Sequence, residues 1–368
     1  MHVMARRLFL GLAAAGTGAL MAGGSAAAHH RELTVYLGSY TSGDRPGAGM
    51  QRAVADPATG RLTVAGTVPE VPEASWFAFS ADRRILYVTN ELSEGAVTAV
   101  DAARGTILTR QPTHGSAPTH TSVHGRFLLT ANYGSGSVVV HRLGEDGLIG
   151  EVTDVRTHDG PEPHAHQVLP DPSGRWVVAV DLGADAVYVY RLDQKTGKLH
   201  PHHRLRMPGG YGPRHLAFHP DGRRAYILGE LRSEITVAEW HPATGRFTAG
   251  QVISTLGDAQ PPENYPAEIV VSQDSRYVYA SNRGHDSIAT FDVTANGDLA
   301  FAGTTPCGGS WPRHLTIDPT GRWVYVANQR QHTVAWLPRD PRTGRLTAPA
   351  GSTAVDSVCF VLFERSWR

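Results

Sequence analysis

The stretch GPRHLAFHPDGRRAYILGE, residues 212–230, has near-copies along most of the chain, and no other feature restricts the possible folds so sharply. It reads as two short apolar runs joined by a Pro-Asp-Gly turn. Five segments align with it: WFAFSADRRILYVTNE (76–91), HTSVHGRFLLTANY (120–133), HQVLPDPSGRWVVAVDL (166–182), AEIVVSQDSRYVYASNR (267–283) and RHLTIDPTGRWVYVANQ (313–329). Anchored on the residue before the last, the copies fall at Asn90, Asn132, Asp181, Gly229, Asn282 and Asn328, at intervals of 42, 49, 48, 53 and 46 residues. Such a period means a repeat architecture. Each unit adds a third apolar alternation (DAVYVYRL, SEITVAEW, DSIATFDV) and often a fourth after a Thr-Gly turn, as in TGRFTAGQVI. Valine, isoleucine, tyrosine and tryptophan at period two, cut by Gly, Asp and Pro, indicate strands. Four antiparallel strands per unit predict a propeller blade, and no amphipathic helical pattern of useful length competes.

The ends of the chain set the number of blades. ELTVYLGSYT (32–41) matches the second strand of a unit, with Gly38-Ser39-Tyr40 where another copy has Thr89-Asn90-Glu91. GMQRAVADPATGRLTVAG (49–66) supplies the third and fourth strands, so a first strand is missing. The apolar C-terminal SVCFVLFER (357–365) has no unit of its own and fits that place. The expectation is an all-β, seven-bladed β-propeller of four-stranded antiparallel blades, in which the C-terminal strand completes the N-terminal blade. Closure removes exposed sheet edges and makes residues 29–368 one domain without a linker.

Residues 1–28 are excluded from that domain. Arg6-Arg7, the apolar stretch Leu8 to Ala22 and Ala26-Ala27-Ala28 have the order of a secretory signal, and Leu8-Phe9-Leu10 after the arginine pair favours the twin-arginine route. A short apolar stretch rich in glycine favours removal over anchoring, so no stable membrane span is expected after processing. The mature chain is expected to be secreted or in the cell envelope or periplasm, and monomeric. Lys+Arg and Asp+Glu are each 34, so no global field favours nucleic acid or an anionic membrane. Cys307 and Cys359 are too few for a disulfide scaffold, and a single bridge or two free thiols both remain open.

In an antiparallel hairpin, the start of the first strand and the end of the second lie at the same end. If the first strand of each blade lines the axis, these positions converge on one mouth of the central channel. The strand-one starts are Thr119-His120, His166-Gln167, Arg214-His215, Ala267-Glu268 and Arg313-His314. The strand-two ends are Glu91, Tyr133, Leu182, Glu230, Arg283 and Gln329. His166, Arg214, Glu230 and Arg283 come from three successive blades and can share one small ligand. Glu268 and Arg313 extend the set, Glu268 either joining the mouth or pairing structurally with an arginine. His215 and His314 alternate away from their neighbouring arginines and are expected to pack between blades. Asn90, Asn132, Asn282 and Asn328 suit turn or inter-blade hydrogen bonds, and Trp76, Trp176 and Trp323 suit the core.

Pro-Arg-His with Pro-Asp-Gly-Arg, ANYGSGSV, VDLGADAVYVY and ASNRGHDSI resemble motifs of the seven-bladed lactonases related to bacterial 6-phosphogluconolactonase and fungal carboxymuconate cycloisomerase. The resemblance covers nearly the whole mature chain and is weakest around residues 117–126, where a hairpin turn is about two residues shorter. It implies a site of one histidine, two arginines and a glutamate, which fall by motif on His166, Arg214, Arg283 and Glu230. Lactone hydrolysis needs a base for water, a cation for the oxyanion and an acid for the leaving alkoxide. His166 and Glu230 are the expected catalytic pair, either one serving as base. Arg214, Arg283, Glu268 and Arg313 are expected to bind a small anionic sugar-type lactone. No cofactor and no metal are expected: the histidines of Pro163-His164-Ala165-His166 and His202-His203 form no recognisable ligand set. The alternatives are a non-catalytic propeller, suggested by Tyr87-Val88-Thr89-Asn90, and a carboxymuconate-type cycloisomerase. No serine-hydrolase, phosphate-loop or dinucleotide motif is present.

Overall fold

The computed structural model describes residues 32–160 and 162–365, so the segment read as an export signal lies outside the described residues. Within them are 28 strands, from β1 (Leu33–Ser39) to β28 (Val358–Phe363), and no helix. They make seven four-stranded antiparallel sheets. Six sheets use consecutive strands, and the seventh has the order β28-β1-β2-β3, with β2 at Met50–Ala55 and β3 at Leu62–Val68. The chain is the seven-bladed propeller that the repeats imply, closed by its last strand.

Closure is driven by apolar burial on both faces of that seam. β28 pairs with β1 through Val35↔Phe363, Leu37↔Val361 and Gly38↔Phe360. Val361 and Phe363 pack with Val35, Leu37, Tyr325, Ala327 and Trp336. Cys359 and Phe360 pack with Phe77, Leu86 and Val88 of the following blade. Gly38 is required at this seam, because a Cβ there would lie 2.2 Å from the carbonyl oxygen of Ala74 and 3.1 Å from the Phe77 ring. The nearest obstacle is backbone and cannot swing aside. Gly38→Ala is therefore expected to destabilise the ring by about 1–3 kcal/mol, read as a lower denaturation midpoint in urea at unchanged m.

The first strands of the blades form the wall of the channel. β4 (Ala74–Phe79), β8 (Pro118–His124), β12 (Ala165–Pro170), β16 (Pro213–Phe218), β20 (Tyr265–Val271), β24 (Pro312–Ile317) and β28 neighbour one another in that order, and β28 meets β4. At the opposite end of these hairpins the Pro-Asp-Gly turn closes through Gly222 N–H to His219 C=O at 2.9 Å, with Gly222 at φ 67°. The repeated asparagines tie each blade to the one before it. The side-chain amides of Asn90, Asn132, Asn282 and Asn328 donate to the carbonyls of Pro72, Thr113, Thr255 and Cys307. Asp181 occupies the same position in its blade and takes a buried His158 Nδ1 at 2.7 Å instead. Cys307 and Cys359 are both buried free thiols, which settles the question that their number left open. Burial pushes the Cys307 thiol up to about 12, so it is unsuited to nucleophilic work.

Candidate active site

The mouth of the channel is built by one backbone irregularity repeated from blade to blade. Pairing of each inner strand with its partner slips between Ala165 and Gln167, between Pro213 and His215, and between Pro312 and His314. The residues at the slips are His166, Arg214 and Arg313. A bulge of this kind re-aims a side chain and breaks period-two alternation. This break corrects the expectation for His215 and His314: they do not pack between blades but face the axis. The ring of His215 lies 4.9 Å from that of His166, and Trp76 stands within 5.2 Å of His215 and 5.5 Å of His314. Trp76 thus packs against the channel histidines and Phe360 as well as the core, whereas Trp176 lies in an interior cluster and Trp323 packs against one.

Glu230 joins two of the arginines. Its Oε2 lies 3.1 Å from Arg214 Nε and 2.9 Å from Arg283 Nη2. Each guanidinium is also fixed from behind by backbone: Arg214 Nη1 donates to Ala267 C=O, and Arg283 Nε donates to Tyr265 C=O at 2.8 Å. The third, Arg313, lies 3.8 Å from Glu91, which accepts from Tyr40 Oη at 2.8 Å. Burial, together with the charges of Arg283 and Arg313, pushes Arg214 down to about 9, and burial lowers Arg283 as well. Both remain cations at neutral pH. Burial also works against the charge of Arg313, but Tyr40 and Glu91 outweigh it and raise its pKa.

His166 is 5% exposed and completes the group. Burial, then Arg214, His215, Arg313 and Arg283, hold its pKa well below the ordinary imidazole value, so at neutral pH it is an uncharged acceptor. Its Nδ1 is fully buried without a hydrogen-bond partner, whereas Nε2 is not among the fully enclosed unpartnered atoms. Tyr133 stands edge-on to His166 at 5.6 Å and stacks on His164 at 4.3 Å. The fold therefore brings His166, Arg214, Glu230, Arg283 and Arg313 together. Glu268 lies with the channel histidines: its Oε1 is 3.2 Å from His215 Nδ1 and its Oε2 is 3.6 Å from His314 Nε2.

Several mouth residues escape sequence reasoning. Tyr40 occupies the place of Glu91 in the aligned copies and could have been found by that alignment. His164 precedes the inner strand and is set by its Nδ1 donating to Tyr133 C=O at 2.9 Å. Trp311 has φ 64° before Pro312, held by Asp286 Oδ1 accepting its N–H at 2.7 Å, with Arg330 stacked 3.3 Å from its ring centre. No group of three or more His, Cys, Asp or Glu among the described residues is arranged to hold a metal ion.

Comparison with known proteins agrees with this architecture. The family model described as "Lactonase, 7-bladed beta-propeller" matches residues 34–363. A Bacillus subtilis protein named 6-phosphogluconolactonase is 35% identical over 335 residues, covering 87% of this chain and 95% of its own. The structure of the Pseudomonas aeruginosa periplasmic gluconolactonase superposes with a TM-score of 0.84 at 30% identity, covering 90% of this chain and 99% of that one. A Lactobacillus plantarum protein superposes with a TM-score of 0.85, also at 30% identity and with the same coverage.

Proposed function

The chain belongs to the family of seven-bladed β-propeller lactonases and is a lactonase, and we propose that it hydrolyses a small anionic sugar-type lactone, without metal, at the mouth built by His166, Glu230 and the arginines. The observation that carries this reading is the pair of guanidinium groups bridged by Glu230, Arg214 at 3.1 Å and Arg283 at 2.9 Å, in whose field the buried imidazole of His166 lies. His166 Nε2 takes a proton from water as the water oxygen bonds to the lactone carbonyl carbon. The carbonyl oxygen becomes an oxyanion and is met by guanidinium N–H donors already fixed by backbone carbonyls. Collapse breaks the bond to the ring oxygen, which receives the proton from His166. The product is a hydroxy acid that releases one proton to solvent.

Glu230 holds Arg214 and Arg283 on a single oxygen, Oε2, which leaves Oε1 to orient the attacking water. Arg313 adds a third cation for a substrate carboxylate or phosphate. An anionic substrate also partly cancels the field that keeps His166 uncharged, so binding makes the imidazole a stronger base at the moment it is needed. The segment 1–28 supports export, in keeping with the periplasmic gluconolactonase of similar fold. A panel of sugar lactones, with and without a phosphate or carboxylate arm, tests the reading on mature protein with and without chelator. Faster hydrolysis of the anionic members, unchanged by chelator, is expected. Absence of catalysed loss of every lactone would overturn the proposal, and loss of activity on chelation would overturn its metal-free chemistry.

A further inference from the structure

Beneath the mouth, four buried side chains that hydrolysis as written does not use share the channel: His120, His215, His314 and Glu268, exposed by 4%, 1%, 7% and 5%. Burying so many ionisable groups is costly unless each is satisfied. Glu268 Oε1 is 3.2 Å from His215 Nδ1 and also accepts Ile269 N–H at 3.1 Å. A carboxylate at Nδ1 fixes a tautomer: His215 carries its proton on Nδ1, and Nε2 is left an acceptor. That Nε2 is fully buried and unpartnered, and so is Nδ1 of His166. The two rings stand 4.9 Å apart at 72°, within the separation at which an imidazole pair can share a hydrogen bond.

Resting on the lactonase reading above, we infer that Glu268 and His215 are positioning residues: Glu268 fixes His215, whose Nε2 accepts the Nδ1–H of His166, so that Nε2 of His166 faces water as the proton acceptor. No proton is lost or gained along this line. The Nδ1 protons stay on their own rings, and the proton taken at His166 Nε2 passes on to the ring oxygen. The line matters because Arg214, Arg283, Arg313 and His215 all oppose a charge on His166. Glu268, faced by His215, His314 and Arg214, is the buried counter-charge at the far end.

Glu268→Gln and His215→Gln are expected to lower kcat by about 10- to 100-fold with KM within about two-fold. In Glu268→Gln the acidic limb of kcat/KM should move to lower pH, because the imidazolium loses its counter-charge. Nitrogen-15 NMR of the unsubstituted protein gives a readout that needs neither substrate nor variant: His166 should be the Nδ1–H tautomer. An Nε2–H tautomer, or a Glu268→Gln enzyme with the parental kcat and pH limb, would overturn the inference while leaving the hydrolysis proposal standing. Full activity in His166→Asn would instead remove that proposal, and the positioning role with it.

Discussion

His166→Asn is expected to lower kcat for the best lactone about 100- to 10,000-fold, the range that one general acid–base group contributes. Asparagine keeps the size and hydrogen bonding of the position but cannot take a proton from water. Because the arginines and Glu230 remain in place, KM should change much less than kcat. Glu230→Gln should give a different signature. Its Oε2 is the shared partner of Arg214 and Arg283, so its loss leaves two nearly buried guanidinium groups facing each other without a counter-charge. Substrate binding and kcat should then fall together, with weakened binding of every anionic lactone. Steady-state kinetics of the two variants on one substrate separates these roles. Equal kcat and KM in His166→Asn and the parent would eliminate the imidazole as base.

Most of the architecture is legible in the sequence because it follows from spacing. A hairpin repeated at 42 to 53 residues can bury its strands only by stacking against copies of itself. The missing first strand at one end and the spare strand at the other define the closure that Val361 and Phe363 complete. The mouth is legible for the same reason, since strand-one starts and strand-two ends meet at one end of every hairpin. Period-two alternation fails where the backbone slips. At Arg214-His215 and Arg313-His314 the bulge turns both side chains toward the axis, so a histidine assigned by alternation to the blade interface lines the channel. Glu268 is ambiguous for a different reason, because its partners His215 and His314 lie 53 and 46 residues away on the two adjacent blades and reach it only when those blades stack. Tyr40 sits in the one blade whose first strand comes from the other end of the chain, and the alignment of Gly38-Ser39-Tyr40 with Thr89-Asn90-Glu91 is the signal that places it at the mouth. Trp311 depends on a left-handed backbone fixed by Asp286, which no pattern of hydrophobicity records.

The same channel should make the fold acid-labile well above the pH at which carboxylates titrate. His120, His166 and His215 are held far below the ordinary value of 6.5, and His314 is pushed down to about 4, in every case chiefly by burial. A histidine with a lowered folded pKa contributes its full stability above about 6.5, where it is neutral in both states. As pH falls below 6.5 the unfolded chain gains a proton that the folded one refuses, and stability drops until the folded pKa is reached. Each such histidine then costs about 1.4 kcal/mol per pH unit, or about 2 kcal/mol between pH 6.5 and 5. The rings of His120, His166 and His314 each lie in the field of His215, so these losses do not simply add. Glu268 opposes the trend, since burial raises its pKa and the fold therefore favours its protonated form in acid. Urea unfolding between pH 7.5 and 5 should accordingly show a steep loss with net proton uptake on unfolding, to which the buried His141 outside the channel, pushed down to about 4, also contributes. His120→Phe is the sharpest check, because the His120 ring already lies 4.3 Å from Trp76 and its Nδ1 accepts only a long 3.5 Å bond from Val168 N–H. That variant should lower the uptake by about one proton and move the acid midpoint downward. A stability that stays flat from pH 7.5 to 5 would mean that the channel histidines take up protons in the folded ring as readily as in the unfolded chain, and a slope untouched by His120→Phe would mean the same of His120.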